Sequence, residues 1–446
     1  MIRSPADLKP VPIRRYRYSR WRWRILVRAL DAAGSVTLGL WRLVRPLPKL
    51  SPPPRRILIV QLDHLGDAVL SSPMFPRLKA AYPDATIDVL ASPSNRELFE
   101  ADPHVDRVHL AERNWFERRP AAWALGSAVW TLGVRLRSGR YDLGIDVRGD
   151  VLTVLVLAIA GIPRRLGWAM GGGGFLLTDV AAWVPDRHEV QSRLALLECL
   201  GLPADGPARV VAHASDDDRA RVGRLLAEPW PERPMRSALV AVGRARGSTS
   251  NWEDEPENRN GLGHFDLASP LLVVHLGAGT PAKRWPLRHW RTLIARFLAD
   301  GWRVVVVGGP EEIDLVKAVE PHPALRDWTG RLAVTETAAL LERADLFLGA
   351  DSGPAHLAAC AGVPSVILFS GTNRSRQWRP WSRQSLVLRH RVPCSPCHQK
   401  VCPLAGHPCL SGLTPERVHL AARRWWARTQ RGEPSHAPQH ANRPSP

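Results

Sequence analysis

A chain of 446 residues with 45% hydrophobic content is long enough for two sizeable cores with appendages, which excludes a single small module. Its formal net charge of +19 implies a surface that attracts anions: nucleic acid, acidic lipid or phosphorylated small molecules. Part of that excess is local, because the first 56 residues hold many arginines and only two acids, Asp7 and Asp31.

Within this leader, residues 21–45 read as a helix. At about 100° per residue, Arg24, Arg28, Asp31, Ser35, Arg42 and Arg45 fall on one side, while Ile25, Leu26, Val36, Leu40 and Trp41 fill the rest, with Arg22 as the exception. The charge-free run from Ala32 to Trp41 is about half of the roughly 20 residues that a spanning helix needs. Two readings stay open: a helix lying on an anionic membrane surface, or one packed on the protein's own surface. The long basic leader and the lack of a small-residue cleavage site before "SPPP" argue against a signal peptide, and Arg14-Arg15 is only a faint twin-arginine echo. The body of the protein is expected in the cytoplasm.

After the prolines, strands alternate with helices. "RILIVQL", "TIDVLA" and "YDLGIDV" read as buried strands, and "SSPMFPRLKAAYP" as a helix with its entry. The second half repeats the plan: "PLLVVHL", a helix from Leu287, "WRVVVVG", a helix from Glu311, "ADLFLGA", a helix from Gly353 and "PSVILFS". Such alternation predicts an α/β protein with two doubly wound parallel sheets. The expected organisation is a leader (1–54), a first domain (55–228), a polar linker or insertion (229–270), a second domain (271–430) and a disordered tail (431–446). "SALVAVG" at the start of the insertion also has strand character.

Ligands of open α/β sheets bind beyond the carboxyl ends of the strands. Three stretches occupy such positions. "QLDHLGDAVL" carries Asp63 and Asp67 on either side of Gly66. "HLGAGTPAKRWP" offers Gly277, Gly279 and Thr280, followed by Lys283 and Arg284, a glycine loop with adjacent cations that suits a diphosphate. In "GADSGPAHLAA" the free N–H groups at the helix start near Ser352 and Gly353 can cradle a phosphate, although Asp351 and Ser352 also suit helix capping. Neither GxGxxG after the first strand nor GxxxxGK[ST] is present, which counts against a dinucleotide oxidoreductase and a P-loop ATPase.

Taken in order, "ILIVQLDHLGDAVLSSPMFPRLKAAYPDATIDVLASP", "HLGAGTPAKRWP", "GADSGPAHLAACAGVPSVILFSGTN" and "CSPC" resemble the ADP-heptose:lipopolysaccharide heptosyltransferases of glycosyltransferase family 9, over about Arg56 to Val418. The resemblance implies a GT-B fold, in which two Rossmann-like domains face a central cleft. It also implies an inverting, metal-independent transfer of heptose from ADP-heptose to a lipopolysaccharide core or related cell-envelope glycan, with no cofactor required. By the same resemblance Asp67 is the general base, Lys283 a catalytic cation at the leaving diphosphate, and Gly279, Thr280, Glu311 or Glu312, Asp351, Ser352, Gly353, Pro354 and His356 line the donor site. Asp63, Gly66 and His188 fall on the acceptor side. The implied partners are a nucleotide sugar and a lipid-linked glycan, with the enzyme peripheral on an anionic membrane surface, the inner face of the inner membrane, and no nucleic acid. Alternatives are a family 9 enzyme using another nucleotide sugar, or a nucleotide-binding protein without catalysis.

Cys394, Cys397, Cys402 and Cys409 follow a C-x2-C-x4-C-x6-C spacing. Zinc or an iron–sulfur cluster is an option there. A cytoplasmic location disfavours disulfides, and reduced packing thiols are the preferred reading. "GGGG" at 171–174 reads as a flexible loop near the acceptor cleft, and "RRWW" near Arg423 as part of a C-terminal helix whose Trp425 and Trp426 return to the first domain.

Overall fold

The computed structural model describes residues 21–44, 53–111, 122–230 and 269–432. The rest of the leader, nearly all of the polar insertion with "SALVAVG", and the tail lie outside the described residues. Strands β1 (Arg56–Gln61), β2 (Thr86–Ala91), β3 (Arg107–Leu110), β4 (Leu143–Asp146), β5 (Arg164–Gly167) and β6 (Asp179–Val180) form one parallel sheet in the order β3-β2-β1-β4-β5-β6. Strands β7 (Leu271–His275), β8 (Arg303–Val307), β9 (Leu325–Asp327), β10 (Leu346–Ala350), β11 (Ser365–Phe369) and β12 (Ser385–Arg389) form a second, ordered β12-β11-β10-β7-β8-β9. Numbered within its own unit, each sheet runs 3-2-1-4-5-6, so the strand order reverses between β1 and β4 and again between β7 and β10. The register is continuous across the first reversal, with Ile59 opposite both Val89 and Ile145.

The central strands β4, β7, β8, β10 and β11 are buried at every position and mostly apolar because both faces are covered. In β1, Ile57 and Ile59 enter a cluster that extends through the helices between the units to Val273 and Phe347 of the second sheet. Leu58 and Val60 point the other way, onto Val129, Leu132 and Leu157. Leu272 and Val274 likewise face an outer cluster with Trp290, Phe297 and Trp302.

The two units meet through helices. Asp216–Ala227, opened by a Ser215–Asp218 capping box, packs on Val334–Leu341 of the second unit, where Arg219 pairs with Glu342 and Arg221 with Glu336. Arg326 donates to the carbonyls of Leu225, Glu228 and Pro229 and stacks over Trp230. Residues 216–228, counted with the first unit from sequence, and 229–230 of the expected linker thus lie against the second.

Two expectations are corrected. The C-terminal helix Pro415–Gln430 does not return to the first unit: it packs on helix Leu287–Ala299, with the Trp302 and Trp426 rings 4.9 Å apart and Trp425 donating to the Gln384 carbonyl. The reason is local burial, since Val418, Ala422 and Trp425 complete the outer cluster beside Phe297. "GGGG" is not a flexible loop but a buried seat for the helix Trp21–Val44. A Cβ at Gly171 would lie 1.7 Å from the Gly149 carbonyl oxygen, and one at Gly172 2.5 Å from Val27, so backbones approach there at distances only glycine permits.

Candidate active site

Beyond β1 the chain turns through Leu62, Asp63 and His64 into helix Leu65–Ser71, which places Asp67 in the first turn. Asp67 Oδ1 lies 3.3 Å from Arg193 Nη2, and a fifth of its side chain stays open to solvent. Arg193, on helix Glu189–Leu197, is 3% exposed; it also donates to Ser71 Oγ at 2.8 Å and pairs with Glu189. Asp63 is paired with Arg148, just past β4, and its carbonyl accepts from Asn95 Nδ2 at 2.8 Å. Asp63, Asp67, Arg148, Arg193, Trp168 and Trp183 line one pocket at the carboxyl edge of the first sheet. The two indoles stand nearly perpendicular, 5.4 Å between centroids, and present an apolar wall opposite the charges.

His188 does not line that pocket. Its Nδ1 accepts the Val190 N–H, its Nε2 lies 2.8 Å from the Arg379 carbonyl, and its ring rests 4.5 Å from that of Trp381. Burial pushes it down to about 3, so the neutral ring ties the start of helix Glu189–Leu197 to the second unit. Gln377 donating to Glu189 at 2.7 Å and the Arg374–Asp186 pair strengthen the same junction.

In the second unit, three segments converge at the ends of β7, β8 and β10. After β7, Gly279 has open space where a side chain would be, Thr280 precedes the turn Pro281–Lys283 without a side-chain cap bond, and Lys283 Nζ lies 2.7 Å from Asp351 Oδ2. After β10, Ser352 precedes helix Gly353–Ala361, with Pro354 in its first turn. The Ser352 hydroxyl does not cap the helix but lies 3.0 Å from His275 Nδ1; Pro354 has no N–H and that of Ala355 donates to the Ser352 carbonyl, which leaves the Gly353 and His356 amides for another acceptor. His275 Nε2 in turn lies 2.8 Å from Glu312 Oε2. Of the two acids after β8, Glu312 is the buried one and Glu311 is exposed. Burial alone would raise the Glu312 carboxyl, but the bonds from His275 and the Gly309 N–H, with the charge of Arg284, hold it below the ordinary value. His356 is buried and pushed down to about 4 by that burial, and its Nδ1 has no hydrogen-bond partner.

The two edges touch. A Cβ on Gly66 would lie 2.8 Å from His356 Cδ2, and one on Gly353 would lie 3.0 Å from Leu65 Cδ2. The turn that carries Asp67 therefore abuts the helix start that carries Gly353, Pro354 and His356, with Lys283 close enough for its charge to act on His64.

Comparison with known proteins fits this geometry. The family model for glycosyltransferase family 9 (heptosyltransferase) matches residues 129–407, more than half of the chain. The chain belongs to that family. This family 9 glycosyltransferase is 25% identical over 380 residues to lipopolysaccharide heptosyltransferase 2 of Escherichia coli K12, covering 81% of this chain and 96% of the relative. It is 29% identical over 363 residues to lipopolysaccharide heptosyltransferase 1 of Pseudomonas aeruginosa, covering 78% and 87%. The solved structure of the E. coli ADP-heptose lipopolysaccharide heptosyltransferase II superposes with a TM-score of 0.62 at 22% identity, covering 84% and 99%, and shares the GT-B fold.

The cysteines of this glycosyltransferase are all free. The loop that carries four of them lies over the Lys283 turn, with Ala282 N–H donating to the Lys400 carbonyl and Cys397 N–H to that of Gly371. Burial, followed by the nearby thiols of Cys402, Cys394 and Cys397, pushes Cys409 up. Among the described residues the one His/Cys/Asp/Glu group within metal-ligand reach is Asp102, His104 and His213, away from these thiols.

Sequence reasoning found both edges but missed Arg148, Trp168, Trp183, Arg193 and His275. Arg148 had a usable signal, directly following the predicted strand "YDLGIDV". Arg193 had none, because a charged residue inside a helical pattern reads as solvated face.

Proposed function

We propose that this family 9 enzyme transfers a heptose from ADP-heptose to the core of a lipopolysaccharide or a related envelope glycan, at an anionic membrane surface on the inner face of the inner membrane. The observation that carries the reading is the abutment of Gly66 and His356, which sets an acceptor-side carboxylate against a diphosphate-binding helix start. The names of the relatives, lipopolysaccharide heptosyltransferases 1 and 2, support the sugar and the acceptor class.

In this reading the acceptor hydroxyl lies in the pocket beside Trp168 and attacks the anomeric carbon as its proton passes to Asp67. The bond from that carbon to the diphosphate oxygen breaks, the electron pair leaves with ADP, and displacement from the opposite face inverts the centre. Arg193 is divided between Asp67 and Glu189, so Asp67 is oriented without the full charge of a dedicated cation. Lys283, the N–H groups of the 353–361 helix start and His356 Nδ1 receive the growing negative charge. No metal is assigned to that step. Glu312, beside His275, is the acid placed for the ribose hydroxyls.

Incubating the full chain with ADP-heptose and heptose-deficient core oligosaccharide should release ADP. A panel of other nucleotide sugars with the same acceptor should not, and turnover confined to one of those would replace the donor in this proposal.

A further inference from the structure

From sequence the helix Trp21–Val44 had two exclusive readings, on a membrane or on the protein. The structure docks it on the protein through one stripe and leaves the rest of its apolar side uncovered. Its docked stripe is short: Val27 is buried against Gly172, the Asp31 carboxylate accepts the Gly173 N–H at 2.7 Å, and Gly34 lies under the Phe175 ring. At about 100° per residue these three positions fall in one narrow arc. Trp21, Ile25 and Val36 stand opposite this arc and Leu26 and Leu30 on one flank, and all five are 48% to 65% exposed. Five of the twelve large apolar side chains exposed among the described residues therefore stand on this one helix. Such clustering calls for a partner, where scattered exposed apolar residues would not.

Charge names the partner. Asp31, the single acid of the helix, is spent on the Gly173 N–H and turned inward, whereas Arg22 and Arg28 are exposed beside the apolar side chains. An exposed apolar side with Arg28 at its edge and Arg22 between Val36 and Leu26, and cleared of anions, matches the interface of a bilayer with acidic headgroups. No described helix is long and apolar enough to cross a membrane, so the contact is made side-on.

Position ties the face to the site. The seat, residues 171–175, begins three residues after Trp168, which lines the acceptor pocket at the carboxyl edge of the first sheet. We propose that helix Trp21–Val44 is a membrane-seating element, held rigidly by the Gly171–Gly174 seat, that lays its Trp21/Ile25/Val36 face on an anionic bilayer and presents the acceptor pocket to a lipid-embedded glycan. This rests on the proposed transferase reading for its acceptor, but not for the lipid contact itself.

The test is co-sedimentation of the full chain with phosphatidylcholine vesicles, with and without phosphatidylglycerol. The expected result is binding that needs the anionic lipid, and a bound fraction reduced at least tenfold by the double change Ile25→Glu, Val36→Glu. Arg22→Glu with Arg28→Glu, which leaves the apolar face intact, should weaken binding at low salt. Circular dichroism melting identifies any variant that misfolds, and transfer to delipidated, water-soluble core oligosaccharide should stay within about twofold of wild type. Vesicle binding unchanged in both doubles, absence of binding by the wild type, or association of copies through this face in sedimentation velocity would each overturn the proposal. Binding without transfer to any acceptor would instead sink the catalytic reading and leave this one standing.

Discussion

Arg193 reaches Asp67 at 3.3 Å through one amino group and pairs with Glu189 through the other, so a single buried guanidinium serves two carboxylates. Glu189 in turn accepts from Gln377 of the second unit at 2.7 Å. The orientation of Asp67 is thereby tied to contact between the units. Replacing Asp67 by Asn keeps shape and removes the proton acceptor, and loss of a general base typically costs about 10² to 10⁴ in rate. Transfer by Asp67→Asn should fall by that amount, while ADP affinity by calorimetry stays within a few-fold. A variant that loses ADP binding in proportion would place Asp67 on the donor instead.

The Gly66 contact yields a second expectation. A methyl group at 2.8 Å from His356 Cδ2 meets a buried ring that has nowhere to retreat, so the two helix starts must part. Gly66→Ala should lower kcat/KM by at least tenfold and leave ADP affinity unchanged, because the donor segments lie wholly on the second unit. Full activity in this variant would show that the observed abutment is not the reacting geometry.

The sheet plan and both ligand edges were legible because β1, β7, β8 and β10 are short apolar runs that end at acid- or glycine-bearing turns. A strand buried on both faces announces itself locally. What stayed hidden depends on partners distant in sequence. The helix Asp216–Ala227 is amphipathic on its own, but nothing in it says that its counterpart is Val334–Leu341, and Trp425 reads the same whichever core it joins. The tetraglycine run was misread for a related reason: glycine marks both loose loops and tightest approaches, and only Val27 and the Gly149 carbonyl decide which.

Lys283 gives a third expectation. It sits 2.7 Å from Asp351, which holds the ammonium at the helix start, where the proposed reaction would bring the diphosphate. Removing a preorganised charge donor at a developing anion costs about 10² to 10³ in rate. Lys283→Ala should show that loss in kcat, with a smaller effect on ADP affinity, and Lys283→Arg should recover part of it. An unchanged kcat in Lys283→Ala would assign the lysine to the protein surface alone.

Asp146 supplies a pH dependence. It ends β4, is fully buried, and its carboxyl is pushed up from 3.8 to about 7. Burial is the main cause and the charge of Asp150 adds to it, against the N–H groups of Arg148 and Gly149. A raised acid contributes stability that is complete below its unfolded value and is lost as pH rises through the folded one, because the unfolded chain releases the proton first. Thermal stability should therefore fall between pH 4 and 7 relative to Asp146→Asn, by a few kcal/mol at about 1.4 kcal/mol per pH unit, then level off above 7. The asparagine oxygen can still accept from Gly149, so the loop that holds Arg148 against Asp63 survives in the variant. Parallel melting curves for the two proteins from pH 4 to 8 would mean that water reaches Asp146 and that its carboxylate is ionised throughout.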